Sequence, residues 1–241
     1  MEIMTIETPN GIGYLVTYNI PNYGITQPYL YDGRISYAKE RRTSSMMPKE
    51  FAFKFGKNFD WSYYQEDVTI QKRLVNSFVS KYDGYRNTGR GLYIYSKTKG
   101  SGKTLLACCL ANEIMERYNA VVKFCSVIDY LDLIKDKSAE AKETMDSLKK
   151  CGLLIFDDIG VQTEKQEWIS NSLLSLIDYR CRNNHPIIYT SNLEIEKASS
   201  DDRVQSRIYG CSIPICIPET PVRKILADKN NTEFIKEILQ N

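Results

Sequence analysis

The segment Lys97-Thr-Lys-Gly-Ser-Gly-Lys-Thr104 constrains this chain more than any other. It follows the apolar run Gly91–Tyr95 and leads straight into the apolar stretch Leu105–Leu110. A strand, a glycine-bearing turn and a helix opening on Lys-Thr form the setting in which backbone wraps a phosphate. Gly100 and Gly102 let the chain close tightly around an anion. Backbone N–H groups and the helix N-terminus then point at it. Lys103 is placed to reach the β- and γ-phosphates of ATP, and the Thr104 hydroxyl to ligate Mg²⁺. The nucleotide-binding set read from this loop is Lys99, Gly100, Ser101, Gly102, Lys103, Thr104 and Leu105. Such loops usually begin with Gly, and this one begins with Lys97. That substitution bears on the entry to the loop, not on the chemistry at its end. The plain alternative is a glycine-rich turn followed by a chance Lys-Thr.

A second feature answers the first. The apolar run Gly152-Leu-Leu-Ile-Phe156 ends on Asp157-Asp158. A buried parallel strand of this kind carries its first carboxylate to the phosphate loop, where Asp157 would hold Mg²⁺. Asp158 would orient or polarise the water that attacks the γ-phosphate. Alone, the pair also suits two solvated acids at a strand end. Together with the loop, it reads as an ATP-hydrolysing site.

Around these motifs, short apolar strands alternate with helical segments. The strands are Gly91–Tyr95, Val121–Cys125, Gly152–Phe156, Pro186–Thr190 and Ser212–Ile217. Helices are expected at Asp67–Tyr82, Lys103–Tyr118, Val127–Lys150, Lys165–Arg182 and about Ser200–Tyr209. Buried strands separated by helices imply an α/β fold, a parallel sheet covered on both faces.

Three further residues suit nucleotide sensing. Strand Pro186–Thr190 runs into Ser191-Asn192, and Asn192 at such a strand end can touch the γ-phosphate; a turn-forming Ser-Asn is the alternative. Arg207 on a short helix suits an arginine finger given to a neighbouring subunit. Its alternative is a structural pair with a local acid such as Asp201 or Asp202. Arg223, after Pro221, opens the last helical region and can sense nucleotide from within its own subunit. His185 before Pro186 reads as a turn residue, and Trp61 and Trp168 as core or interface anchors.

The first forty residues differ from the rest. Asn10-Gly11 and Asp32-Gly33 are hairpin signals, because both central positions of a type I′ turn need positive φ. This stretch also holds Tyr14, Tyr18, Tyr23, Tyr29, Tyr31 and Tyr37 of the chain's 17 tyrosines. Residues 1–45 are therefore read as a small β-rich partner-docking module, linked through the basic connector 38–45 to an ATPase domain at 46–241. Tyrosine-rich surfaces offer large contact area at low entropic cost.

Composition mostly excludes. With 32 basic and 30 acidic residues the net charge is +2, so nucleic-acid binding would rest on a local patch. Lys135, Lys137, Lys149 and Lys150 are the candidates, in a segment that also carries Asp132, Asp136, Glu140 and Glu143. Apolar runs are too short to cross a membrane. No signal-like order opens the chain, which points to the cytoplasm. Seven cysteines in mostly apolar runs, with no CxxC pair, imply neither a disulfide framework nor a zinc cluster. Cys211 and Cys216 are read as part of the last strand.

The runs GLYIYSKTKGSGKT, LLIFDDIG, IIYTSN and DRVQSRIYG together resemble bacterial replicative helicase loaders of the DnaC/DnaI type, over roughly Met47 to Arg223. The resemblance implies an AAA+ P-loop ATPase core with sheet order 5-1-4-3-2. It implies Lys103 and Thr104 as Walker A, Asp157 and Asp158 as Walker B, Asn192 as sensor 1, Arg207 as arginine finger and Arg223 as sensor 2. It also implies slow, partner-stimulated ATP hydrolysis, a hexameric replicative helicase as partner, single-stranded DNA, and self-assembly through ATP-bridged interfaces. The double helical segment Val127–Lys150 would line the DNA path. Two departures stand out: the N-terminal part lacks Cys and His ligands for the zinc domain of DnaI-type loaders, and the segment after Arg223 is short for a full helical lid. An unusual N-terminus fits a phage- or plasmid-encoded version. Two other functions share this core: a transposition helper of the IstB type acting on duplex DNA, and a nucleotide-bound antagonist of host replication proteins.

Lys103→Ala is expected to abolish ATP binding and leave the fold intact. Unchanged affinity in an equilibrium titration would remove the loop from the site.

Overall fold

The computed structural model describes residues 2–8, 11–19, 26–31, 41–118, 120–160 and 167–239. Strands β1 (Glu2–Thr8), β2 (Gly11–Asn19) and β3 (Thr26–Tyr31) form an antiparallel sheet in chain order. The first hairpin is as read, but the register pairs Thr8 with Gly11. Gly11 therefore belongs to the strand and not to the turn read at Asn10-Gly11, and Asn10 lies outside the described residues. The turn read at Asp32-Gly33 and Lys39 of the connector lie outside the described residues.

The core strands are β4 (Gly91–Tyr95), β5 (Val122–Ser126), β6 (Leu153–Ile159), β7 (Ile187–Ser191) and β8 (Ser212–Cys216). All pair in parallel, in the order β5-β6-β7-β4-β8. Counting core strands alone, this is the expected 5-1-4-3-2 read from the other edge. Alternate strand residues face two separate cores, as period-2 geometry requires. Leu92, Ile94, Leu153, Ile155 and Ile188 pack under α1 (Thr69–Ser80), α2 (Tyr82–Thr88) and α3 (Lys103–Arg117). Tyr93, Leu154, Phe156, Ile187 and Tyr189 pack on the other side. There they meet α4 (Val127–Lys135), α5 (Ala139–Lys150), α6 (Glu167–Arg182) and α7 (Asp202–Cys211).

Helix boundaries follow local chemistry. The segment Val127–Lys150 splits because Ser138 caps a new helix, its hydroxyl accepting the Ala141 N–H at 3.1 Å. Ser126 caps α4 in the same way, at 3.0 Å from the Asp129 N–H. The helix read across Asp67–Tyr82 also divides, and α2 ends at Gly89, whose φ of 67° closes it in the left-handed conformation. Cys211 closes α7 and is not part of the last strand. The chain finishes in a single helix, α8 (Val222–Leu239).

The connector is not a loose tether where it is described. Arg41 donates to the Met115 carbonyl at 2.9 Å, Arg42 pairs with Glu116, and both are buried. Ser45 gives its carbonyl to the Phe124 N–H at 2.7 Å, which satisfies a donor on edge strand β5.

Arg180 of α6 locks the far side of the sheet. It is completely buried, and its guanidinium donates to Leu148 O at 2.6 Å, Lys149 O at 3.1 Å and Pro186 O at 2.9 Å. It thus caps α5 and fixes the start of β7 with one side chain. Sequence reading gave this residue no role. Arg180→Ala strands three carbonyls, two of them buried, which costs about 3–5 kcal/mol. The urea midpoint should fall accordingly; an unchanged midpoint would show that water replaces the arginine.

Candidate nucleotide-binding site

Parallel order places the C-terminal ends of β4, β6 and β7 side by side, and the motif residues sit at those ends. The loop after β4 turns at Gly100 (φ 74°) and Gly102 (φ 95°), a conformation that a side chain would strain. Space forbids one too. A Cβ on Gly100 would lie 2.9 Å from Arg223 Cβ, and one on Gly102 3.0 Å from the Tyr64 hydroxyl. Helix α3 begins directly after Gly102 with no side-chain cap, so its first N–H groups are left for an anion.

Lys103 is buried beneath this loop. Its ammonium donates to Ser96 O at 3.2 Å, Thr98 O at 3.0 Å and Ser101 Oγ at 3.3 Å. Burial pulls its pKa below the ordinary lysine value, against the attraction of Asp158 and Asp157. Lys97, in the position usually held by Gly, points away into an ion pair with Glu194 at 3.5 Å.

The two carboxylates differ in environment. Asp157 Oδ1 accepts from Thr104 Oγ1 at 2.9 Å and from Thr190 Oγ1 at 2.6 Å. Its burial pushes the carboxyl up from the usual range; the Thr190 hydrogen bond is the largest opposing effect. Asp158 is half-buried and has φ 58°, at a bulge between Phe156 and Ile159. Asp tolerates that left-handed region better than longer or branched residues do. The Asp158 N–H donates to Thr190 Oγ1 at 2.9 Å. Strand β6 therefore continues to Ile159, and both acids lie within it instead of after it. Thr104 and Asp157 present two hard oxygen donors side by side, the ligand chemistry that suits Mg²⁺.

Thr190 joins all of these groups and was not singled out from sequence. Its register opposite Ile94 brings it between the loop strand and β6. Asn192, the residue read as the sensor, lies just beyond the end of β7 and is half-buried. Its neighbour Ser191 donates to Ile159 O at 2.6 Å. The expected sheet order already put β7 between β4 and β6, but Asn192, the polar residue just past the strand end, was chosen and the threonine within the strand was passed over.

Arg223 opens α8 against the loop, its N–H donating to Gly100 O at 2.9 Å. Tyr64 was also unforeseen: buried, it donates to Ser101 O at 2.6 Å and stacks with Phe59, whose ring meets Trp61 edge-on at 4.7 Å. Lys99 is exposed and Leu105 half-buried at the start of α3. Arg207 is remote from this cluster. It is half-exposed on α7 and pairs with Asp178 of α6 at 2.8 Å, while Asp201 pairs with Arg203 at 2.7 Å. The local acid is therefore Asp178, not Asp201 or Asp202. Of the lysines in α4 and α5, Lys135 pairs with Asp132 at 3.3 Å and Lys150 with Asp146 at 3.8 Å.

Residues 36–204 match the family model described as IstB-like ATP binding protein. The chain is 28% identical over 141 residues to the phage-like element PBSX protein XkdC of Bacillus subtilis, covering 56% of this chain and 53% of that protein. It is 27% identical over 140 residues to the replicative helicase loader DnaC of Escherichia coli, covering 56% of this chain and 55% of DnaC. The match thus spans about half the length of these relatives. The crystal structure of DnaI superimposes with a TM-score of 0.60 at 26% identity, over 74% of this chain and 97% of that one. With more than half its length in the match and a phosphate loop in the required setting, this chain belongs to the IstB-like ATP binding protein family.

Proposed function

We propose that this protein is an ATP-dependent helicase loader: it binds a hexameric replicative helicase and assists its placement on single-stranded DNA. The observation that carries the reading is the Thr104–Asp157–Thr190 cluster beside an uncapped α3, in a chain similar to DnaC and DnaI. In this reading ATP lies on the N-terminus of α3, and Lys103 leaves its loop carbonyls for the β- and γ-phosphates. Thr104 and Asp157 hold Mg²⁺, which neutralises charge on the phosphates. Asp158 orients water, Asn192 contacts the γ-phosphate, and Arg223 acts from within the subunit. Turnover is slow and partner-stimulated, in the cytoplasm.

Thr190 is a positioning residue here. Its hydroxyl donates to the carboxylate that holds metal and accepts from the backbone of the one that orients water. Thr190→Val breaks both bonds, so turnover at saturating ATP should fall at least about tenfold, whereas Thr190→Ser should keep most of it. Equal turnover in all three proteins would remove Thr190 from the mechanism.

Arg207 acts in trans. A head-to-tail contact repeats into a ring or helical filament, and Arg207 must leave Asp178 to complete a neighbour's site. The exchange is eased because Arg182 holds the other Asp178 oxygen at 2.8 Å. Arg207→Ala should bind ATP normally and hydrolyse it slowly. Mixed with Lys103→Ala, it should give activity that neither variant has alone. A mixture as inactive as its parts, or a chain that stays monomeric with ATP, helicase and DNA, would rule the trans mechanism out.

Residues 1–45 are the docking module, and α4, α5 and the turn between them contact DNA through Lys135, Lys137, Lys149 and Lys150. The family model itself favours a second reading, a transposition helper of the IstB type. Affinity chromatography on the full chain and on a chain lacking residues 1–45 separates the two. The loader reading expects helicase capture by the full chain only and salt-sensitive binding to single strands. Transposase capture with preference for duplex DNA would overturn it.

A further inference from the structure

Away from the nucleotide site, α6 and α7 meet along a seam that carries two thiols. Cys181 lies in the last turn of α6, and Cys211 ends α7. Both are reduced and half-buried, and the two thiols lie close enough to perturb each other's titration. Cys181 Sγ also sits 3.9 Å from the Arg207 carbonyl. The charged groups facing the pair are Arg207, Arg90 and Asp178. Tyr189 packs in the same cluster, completely buried, and its hydroxyl has no hydrogen-bond partner among the described residues.

The remaining cysteines show how unusual this pair is. Cys108, Cys109, Cys125 and Cys151 are buried, and burial pushes each thiol up, which makes them inert. Cys216 is exposed. In the seam, interaction with the Cys181 thiol pulls Cys211 below the ordinary thiol value, with help from Arg207 and Arg90. The same interaction, with burial, holds the proton on Cys181. One sulfur is set up to attack and the other to resolve, the arrangement of a reactive dithiol.

We propose that Cys181 and Cys211 are an oxidation site, which a low-molecular-weight disulfide such as glutathione disulfide converts into an intramolecular disulfide. The Cys211 thiolate attacks one sulfur of glutathione disulfide, whose S–S bond breaks to release one glutathione thiolate. Cys181 gives its proton to that thiolate and attacks the Cys211 sulfur, and the second glutathione leaves and is protonated from solvent. The two cysteines lose two electrons, and glutathione disulfide is reduced to two glutathione molecules. The new bond ties α7 to α6 beside the Arg207–Asp178 pair, one helical turn from Arg207. It holds Arg207 in its resting contact and slows ATP turnover. That consequence rests on the proposed trans role of Arg207; the thiol chemistry does not.

The test is oxidation of the full chain by glutathione disulfide, acid quench, alkylation and digestion without reductant. The expected product is one linked peptide pair holding Cys181 and Cys211, separated again by dithiothreitol. In Cys181→Ser, Cys211 should retain one glutathione; in Cys211→Ser, Cys181 should stay unmodified. Glutathione on Cys216 alone, or a linkage between two chains in place of the internal one, would overturn the site. Turnover of the linked protein should drop by about tenfold or more if Arg207 is immobilised. A linked protein with full turnover would keep the oxidation site and refute its effect on Arg207, and the peptide map reads the chemistry whether or not the ATPase reading stands.

Discussion

A buried carboxylate is stable only if its surroundings donate to it, and Asp157 is held by hydroxyls from two different elements. Each hydrogen bond to a charged group is worth about 1.5–3 kcal/mol, so Thr104 and Thr190 together decide whether Asp157 can stay ionised in place. The requirement reaches through the fold. Thr104 is positioned by the glycine turn that starts α3, and Thr190 by the insertion of β7 between β4 and β6. The Asp158 bulge hangs on the same threonine. Residues distant in sequence thus form one hydrogen-bonded unit, which only this sheet order can assemble.

The same unit leaves groups free for an anion. The α3 N-terminus has no side-chain cap, although α4, α5 and α7 all have one. Lys103 is held by carbonyls of its own loop, weak partners that a phosphate can replace. Tyr64 and Arg223 press on the loop from either side through Ser101 O and Gly100 O. Nucleotide would therefore meet a site whose walls are already built.

The far face of the sheet serves a different purpose. Arg180 ties α5, α6 and β7 together from inside, while the outer ends of α6 and α7 carry exchangeable contacts. Asp178 pairs with both Arg182 and Arg207, and the paired thiols lie next to them.

Local signals were enough for the core strands and most helices, because each rests on a few consecutive residues with a fixed period or turn requirement. Val127–Lys150 was read as a double helical segment without a boundary, because the polar run Lys135–Ser138 does not by itself show which residue caps the second helix, and Ser138 is that cap. Cys211 was assigned to the last strand because it adjoins that strand's first residue, Ser212. Contacts between strands were beyond reach for a different reason. Thr190, Tyr64 and Arg180 are ordinary polar residues in the sequence, and their importance comes from the partners that sheet order and helix packing bring to them. The same holds for Arg207, whose acid is Asp178 from another helix and not a neighbour in the chain. Sequence alone determined the α/β ATP-binding fold class, since apolar strands, a glycine-bearing loop and an acid pair are encoded locally. Tertiary structure decided which side chains hold those elements in place, since hydrogen bonds and ion pairs form between residues that only the fold makes neighbours.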